Sequence, residues 1–280
     1  MRRPVFLAAA GAVTSMAAFG AYRFVVRPWY ETWGVDPAEK DRLLPGDELV
    51  ATPTGSETRA ITIEAPAAAI WPWIVQMGYG RGGWYSYDTM DMKGRSATTI
   101  VPEWQSIAAG GTMPFDPEGG FEIAQVEPDH ALVLYLDDTI VKRQHGAAQH
   151  EATAPAEKVP TGLAVSGAIF GSQPTTFKAS YALVLEPIDG SRTRLIERAR
   201  LEYTPTGFAS RLMTPLFGFG VFVMMRRQLL GLKERAEGLV HEPSAVEVAP
   251  VEKPVKASKR SVDAEAGEPI VPPETTPAEA

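Results

Sequence analysis

The 280-residue sequence contains no cysteine. That excludes structural disulfides, thiol nucleophiles and thiolate metal sites. It leaves the redox compartment open, because a cysteine-free domain is stable in either environment. Histidine is nearly as scarce, with only His130, His145, His150 and His241. His145 and His150 stand five apart in an irregular stretch rather than at the i, i+4 spacing of a metal-binding helix, so neither metal nor cofactor is expected. No G-x-S-x-G elbow and no P-loop occurs. Positive charge is in deficit as well: the formal net charge is −7 and the pI about 5.3. Nonspecific nucleic-acid binders carry a basic surplus, so nucleic acid is not an expected partner. From Glu242 to Ala280 there is no aromatic residue, and eight acidic side chains face four basic ones among seven prolines. Such a segment buries too little apolar surface to offset its ordering entropy, and residues 241–280 read as a disordered tail.

What is present begins with an apolar N-terminus. Val5 to Tyr22 runs for 18 residues without a charge, and Phe24-Val25-Val26 extends it past Arg23. A helix over Val5 to Val26 would rise roughly 30 Å, the thickness of a hydrocarbon core. Arg23 falls near its end, where an arginine can snorkel, and Trp29, Tyr30 and Trp33 follow as interfacial aromatics. An uncleaved anchor over residues 1–27, reaching the membrane through 5–26, fits the length and Arg23. A cleaved secretory signal is the alternative, because Ala18-Phe19-Gly20 offers small residues at −3 and −1, and it would release a secreted domain. Basic residues flank both ends, so orientation stays open.

Residues 28–240 have the makings of one folded domain. Arg59 to Glu64 alternates apolar and polar, as a strand does. Ala65-Pro66 opens a helix bearing Ile70, Trp71, Ile74, Val75 and Met77, and Gly78 ends it. Thr112 to Phe115 and Phe121 to Val126 flank a strong turn, and Ala131 to Leu136 is β-prone. Residues 137–174 break the pattern and read as an irregular insertion, with a short helix near Gly162 to Phe170. Thr176 to Glu186 and Thr193 to Tyr203 form a hairpin. On the second of these strands Leu195, Glu197, Ala199 and Leu201 share one face, and Arg194, Ile196, Arg198, Arg200 and Glu202 the other. A helix over Pro215 to Gly238 sets Phe222, Met225, Leu229, Leu232 and Ala236 on one face. The fold class is therefore α+β: a curved antiparallel sheet around a long C-terminal helix, preceded by a transmembrane helix and followed by the tail.

Several runs carry a family resemblance. They are Arg27-Pro28-Trp29 with Trp33-Gly34, Leu44-Pro45-Gly46-Asp47-Glu48-Leu49, Ile63-Glu64-Ala65-Pro66, Trp71 through Gly78, Gly80 through Asp88 (GRGGWYSYD), and Thr193 through Arg198. On these the chain resembles the START-like superfamily of helix-grip proteins (SRPBCC, Bet v 1-like, polyketide cyclase/dehydrase-like), in a bacterial membrane-tethered branch. The resemblance implies a helix-grip fold with an internal cavity for a hydrophobic small molecule or lipid. It transfers no catalytic residue.

The candidate ligand contacts are Trp71, Ile74, Trp84, Tyr85, Tyr87, Tyr135, Tyr181, Phe222 and Met225, with Arg81 and Asp88 as polar handles. Gly78 to Gly83 literally matches G-x-G-x-x-G. A helix precedes it and β-prone aromatics follow, the reverse of a dinucleotide site, so it reads as a tight turn. Arg194, Arg198 and Arg200 read as a solvated face with cross-strand pairs, or else as a site for an acidic headgroup. A membrane-tethered binding domain is the leading expectation. A cyclase or dehydratase using the same cavity and a ligand-free membrane interaction protein are the alternatives.

Overall fold

The computed structural model describes residues 16–17, 19–91, 95–117, 119–151, 177–203 and 208–240. The chain divides into Met1–Glu242 and Pro243–Ala280. The second unit, holding the expected tail, lies outside the described residues, as do most of the expected anchor and the helix expected near Gly162 to Phe170. Among the described residues no helix is long and apolar enough to cross a membrane.

Six strands form one antiparallel sheet in the order β1-β6-β5-β4-β3-β2. They are β1 (Gly55–Ile63), β2 (Thr112–Pro114), β3 (Gly120–Glu127), β4 (Ala131–Asp137), β5 (Phe177–Pro187) and β6 (Thr193–Tyr203). A register shift between Ile123 and Gln125 marks a bulge, which bends its strand and strengthens the twist. The helices are α1 (Arg27–Glu31), α2 (Pro37–Lys40), α3 (Ala67–Val75), α4 (Asp88–Asp91), α5 (Asp138–Glu151) and α6 (Phe208–Ala236). A π-helical turn, Tyr22–Val26, leads into α1. The long helix packs on α3, β1 and α1. This is an α+β arrangement that fits the helix-grip architecture.

The period-2 alternation of the strands sorts the core into two layers. Ile63, Leu132, Leu134, Tyr181, Leu183, Leu185 and Leu195 face α6 and α3, where they meet Ile74, Met77, Leu229 and Leu232. On the outer face Ala60, Ala131, Val133, Ala182, Val184 and Ile196 are covered by Leu44, Val35 and Leu49 of the segment before β1. Gly46 lets that segment lie flat, since a Cβ there would come within 2.4 Å of Val133 Cγ1.

The arginines of β6 hold this strap, which corrects both the solvated-face and the headgroup readings. Arg198 is buried and donates to Asp47 Oδ2 at 2.6 Å and to the carbonyls of Glu39, Lys40 and Arg42. Arg194 makes a bidentate pair with Glu39, both contacts 2.7 Å. Arg200 reaches Asp47 Oδ1 at 3.1 Å. Such a fork-to-carboxylate geometry fixes register as well as contributing energy.

Two other differences follow from local chemistry. The start of the expected irregular insertion is helix α5: Asp137 accepts from the Ile140 amide at 2.7 Å, an N-terminal cap, and Ile140 is buried. The long helix begins at Phe208 rather than Pro215.

Candidate functional site

The apolar layer between the inner face of the sheet and α6 is built from three sides. From α3 come Trp71 and Ile74, from the glycine turn Trp84 and Tyr85, and from α6 Met225. The turn is closed by a bridge between Gly78 and Gly83, with positive φ at Gly78, Gly80 and Gly83. Those values suit glycine, and among the described residues only the short helix α4 follows, so the turn reading holds. Tyr85 itself has φ 57° and is buried. Its hydroxyl donates to the Trp73 carbonyl at 3.0 Å, and burial raises its pKa. Helix α6 meets this loop closely at Gly231, where a Cβ would lie 2.2 Å from the Tyr85 carbonyl oxygen.

The expected ligand residues divide accordingly. Trp71, Ile74, Trp84, Tyr85, Tyr181 and Met225 all belong to the inner layer. Phe222 is buried beside it among Trp29, Tyr30, Trp33 and Phe219. Tyr135 does not join them. It shares a face with Ala131 and Val133, which lie on the outer side of β4, and its hydroxyl donates to Asp137 Oδ2 at 3.3 Å. Tyr87 lies in the loop before α4, 40% exposed. The two polar handles are engaged locally. Arg81 donates to the carbonyls of Val75 (3.1 Å) and Trp104 (2.7 Å). Asp88 accepts from the amide (3.0 Å) and hydroxyl (2.6 Å) of Ser96. Both therefore brace loops.

The polar groups that do reach the interior are others. Arg59 of β1 is fully buried. Its Nη1 lies 3.0 Å from Glu197 Oε1, whose side chain is also fully buried, and its Nη2 pairs with Glu57. Its Nε donates to the Tyr30 carbonyl at 3.3 Å, and the guanidinium stands 5.5 Å from the Phe222 ring centre. Burial raises the Glu197 pKa while Arg59 opposes the shift. Desolvation lowers the Arg59 pKa, but the charges of Glu197 and Glu57 together outweigh it and leave it raised. Tyr181, buried two residues diagonally from Glu197 on the same face, has its hydroxyl pKa pushed well up by burial and by the Glu197 charge. The sequence signal for this cluster was a charge on an apolar strand face: Glu197 between Leu195 and Ala199.

A separate surface depression of about 300 Å³ lies beside the strap, lined in part by Asp36, Glu39, Glu186 and Arg194. Its cation is already paired with Glu39. No metal-ligating cluster is found among the described residues.

No family model matches the sequence, and no curated protein does. Solved structures that align with it include the Zhui aromatase/cyclase from Streptomyces sp. R1128 (12% identity, 65% of this chain, 93% of that one, TM-score 0.29). Others are CalU16 from Micromonospora echinospora (12% identity, 66% of this chain, 88% of that one, TM-score 0.26) and a conserved protein from Geobacillus kaustophilus (11% identity, 65% of this chain, 95% of that one, TM-score 0.34). Likeness at these TM-scores carries no weight for function, and the helix-grip assignment stands on strand order and the packing of α6.

Proposed function

We propose that the protein is a membrane-tethered START-like domain that holds a hydrophobic small molecule or lipid between the inner face of its sheet and α6. The observation that supports this most is a set of large apolar side chains, Trp33, Trp71, Trp84, Phe121 and Met225. All pack against the inner core yet keep part of their surface uncovered. Large aromatic and thioether surfaces at the edge of a roofed apolar layer suit an apolar ligand, and methionine adapts to one easily. Tethering is supported by the approach to the domain. Phe19, Phe24, Val25 and Trp29 are exposed on the N-terminal helical run, and Phe219 on α6 is exposed close to Tyr30. Together they extend the uncharged segment Val5 to Tyr22 toward the domain.

The test compares molecules released by denaturing extraction from the full chain and from Ala199→Phe, which fills the inner face. Mass spectrometry should find an apolar compound near one per chain in the wild type and depleted in the variant. Equal amounts in both would assign the compound to the membrane environment and count against interior binding.

A further inference from the structure

Single exposed apolar side chains are ordinary on a protein surface, whereas a gathered set of large ones marks a contact. Among the described residues eleven large apolar side chains are exposed. Six of them, Met16, Phe19, Phe24, Val25, Trp29 and Phe219, lie on the N-terminal helical run or on the turn of α6 packed against it. Phe222 joins the two elements. The Trp29 ring stands 5.2 Å from its ring and the Phe219 ring 5.9 Å, yet Trp29 remains 54% and Phe219 41% exposed. The run and α6 point the same way, because Tyr30 meets Phe219 and Phe222 while Trp33 meets Phe222 and Arg226. Both approach this contact through uncharged sequence: Val5 to Tyr22 leads into the run, and α6 carries no charge from Leu212 to Met225. The run passes directly into the domain. Its backbone is helical at Ala21, Val26 and Arg27. Arg59 Nε donates to the Tyr30 carbonyl, the Ala60 amide donates to the Trp33 carbonyl at 3.1 Å, and the Arg226 guanidinium lies 4.9 Å from the Trp33 ring centre.

We propose that the domain is seated on a phospholipid bilayer through a second contact, with Trp29 and Phe219 in the interfacial layer and the first turns of α6 lying beside the N-terminal segment. This rests on the tethering part of the reading above and goes beyond it, since a tether alone leaves the pose of the domain unfixed. The bilayer is the occupant because the uncharged residues 5–22 enter the described structure at this patch. Tryptophan favours the membrane interface, and arginine at the same level reaches headgroups over an apolar stem. Arg23, its guanidinium 5.8 Å from the Phe24 ring centre, and Arg226 over Trp33 supply that belt. Two contacts on elements fastened to each other fix the pose. Met225 follows Phe219 by six residues on α6, about 9 Å of helix rise, so the seat keeps the uncovered edge of the inner layer near the lipid.

The sequence has no cysteine, so a single introduced cysteine carries a single spin label. Full-length Phe24→Cys, Phe219→Cys and Ile188→Cys, the last in the exposed turn after β5, are labelled and reconstituted in phosphatidylcholine vesicles. Gly220→Cys, where nothing lies within 4 Å of an added Cβ, repeats the α6 reading with the aromatic cluster intact. Collisions of each label with lipid-soluble oxygen and with a water-soluble nickel chelate are compared. Oxygen collisions should dominate at positions 24, 219 and 220, and nickel collisions at 188. Nickel-dominated collisions at 219 and 220, with oxygen-dominated collisions at 24, overturn the seat and leave the tether standing. Nickel-dominated collisions at all of these positions overturn both. Spectral broadening at 219 and 220 that vanishes on dilution with unlabelled wild-type chain marks a second copy on the patch, and it too overturns the proposal.

Discussion

Replacing Arg59 by Met is the most informative perturbation of the interior. The substitution keeps much of the side-chain volume and removes the cation paired with Glu197. Glu197 is fully buried and already has one oxygen without a partner, so it would be left as an uncompensated charge. Breaking a buried pair from one side costs about 3–5 kcal/mol. For a domain of this size that corresponds to a fall in Tm of roughly 6–20 °C. Glu197→Gln is milder, because Gln still offers an acceptor to Nη1 and Glu57 remains paired with Arg59; about 1–3 kcal/mol is expected. The double variant Arg59→Met/Glu197→Leu should recover most of the loss, since an apolar pair of similar volume is often neutral relative to a buried ion pair. Thermal unfolding of the full chain in detergent, followed by tryptophan emission, measures wild type, these three variants and the Glu197→Leu single that closes the cycle. A cost below about 1 kcal/mol for Arg59→Met, or a double variant no better than the sum of the singles, would refute the claim that the two charges are held together in a dry interior.

Further expectations follow from other parts of the fold. Gly231→Ala places a methyl against the Tyr85 carbonyl; the helix must shift, at a cost of about 1–3 kcal/mol, and a lower melting temperature with a changed near-ultraviolet signal from Trp73 and Tyr85 would show it. Asp47→Ala strips Arg198 and Arg200 of their carboxylate; limited proteolysis should then cut within residues 35–50 faster than in wild type, while Asp47→Asn falls between. The two buried or half-buried glutamates should act oppositely with pH. The Glu39 pKa is lowered by the Arg194 hydrogen bond, so its stabilisation is present above the unfolded value of about 4.3 and lost as pH falls through the depressed folded value. That of Glu197 is raised by burial, so its contribution is full below about 4.3 and lost as pH rises through the folded value. In a series of melting temperatures against pH, Glu39→Gln should remove part of the acid-side loss and Glu197→Gln part of the decline above it.

The elements that sequence reasoning located are those with strong local signals. The β5–β6 hairpin and the apolar stripe of α6 follow from periods of two and of three to four residues, which burial against one surface enforces. The glycine turn was legible because Pro66 and the Trp71 spacing required a helix before it. Helix α5 has no local signature because Asp138–Glu151 carries no apolar stripe, although Ile140 near its start is buried. Tyr135 was misassigned because an aromatic in a strand looks the same whichever side of the sheet it faces, and only the register, opposite Ser180, fixes the outer face. Arg198 looked like a surface charge because the strap that covers it lies some 150 residues earlier in the chain, a pairing no local pattern can reveal. Arg59 and Glu197 had a visible mark, charge on an apolar face, but their partnership needed β1 and β6 to be neighbours.

The proposed function requires that an apolar molecule reside between sheet and helix rather than only around the N-terminal segment. Photolabelling of the full chain in lipid vesicles with a diazirine-bearing fatty alcohol, followed by peptide mapping, tests it directly. Labels on Met225 of α6 and on the Tyr181 and Glu197 strands, competed away by unlabelled alcohol, are the predicted result. Labels confined to residues 5–31, insensitive to competition, would contradict it.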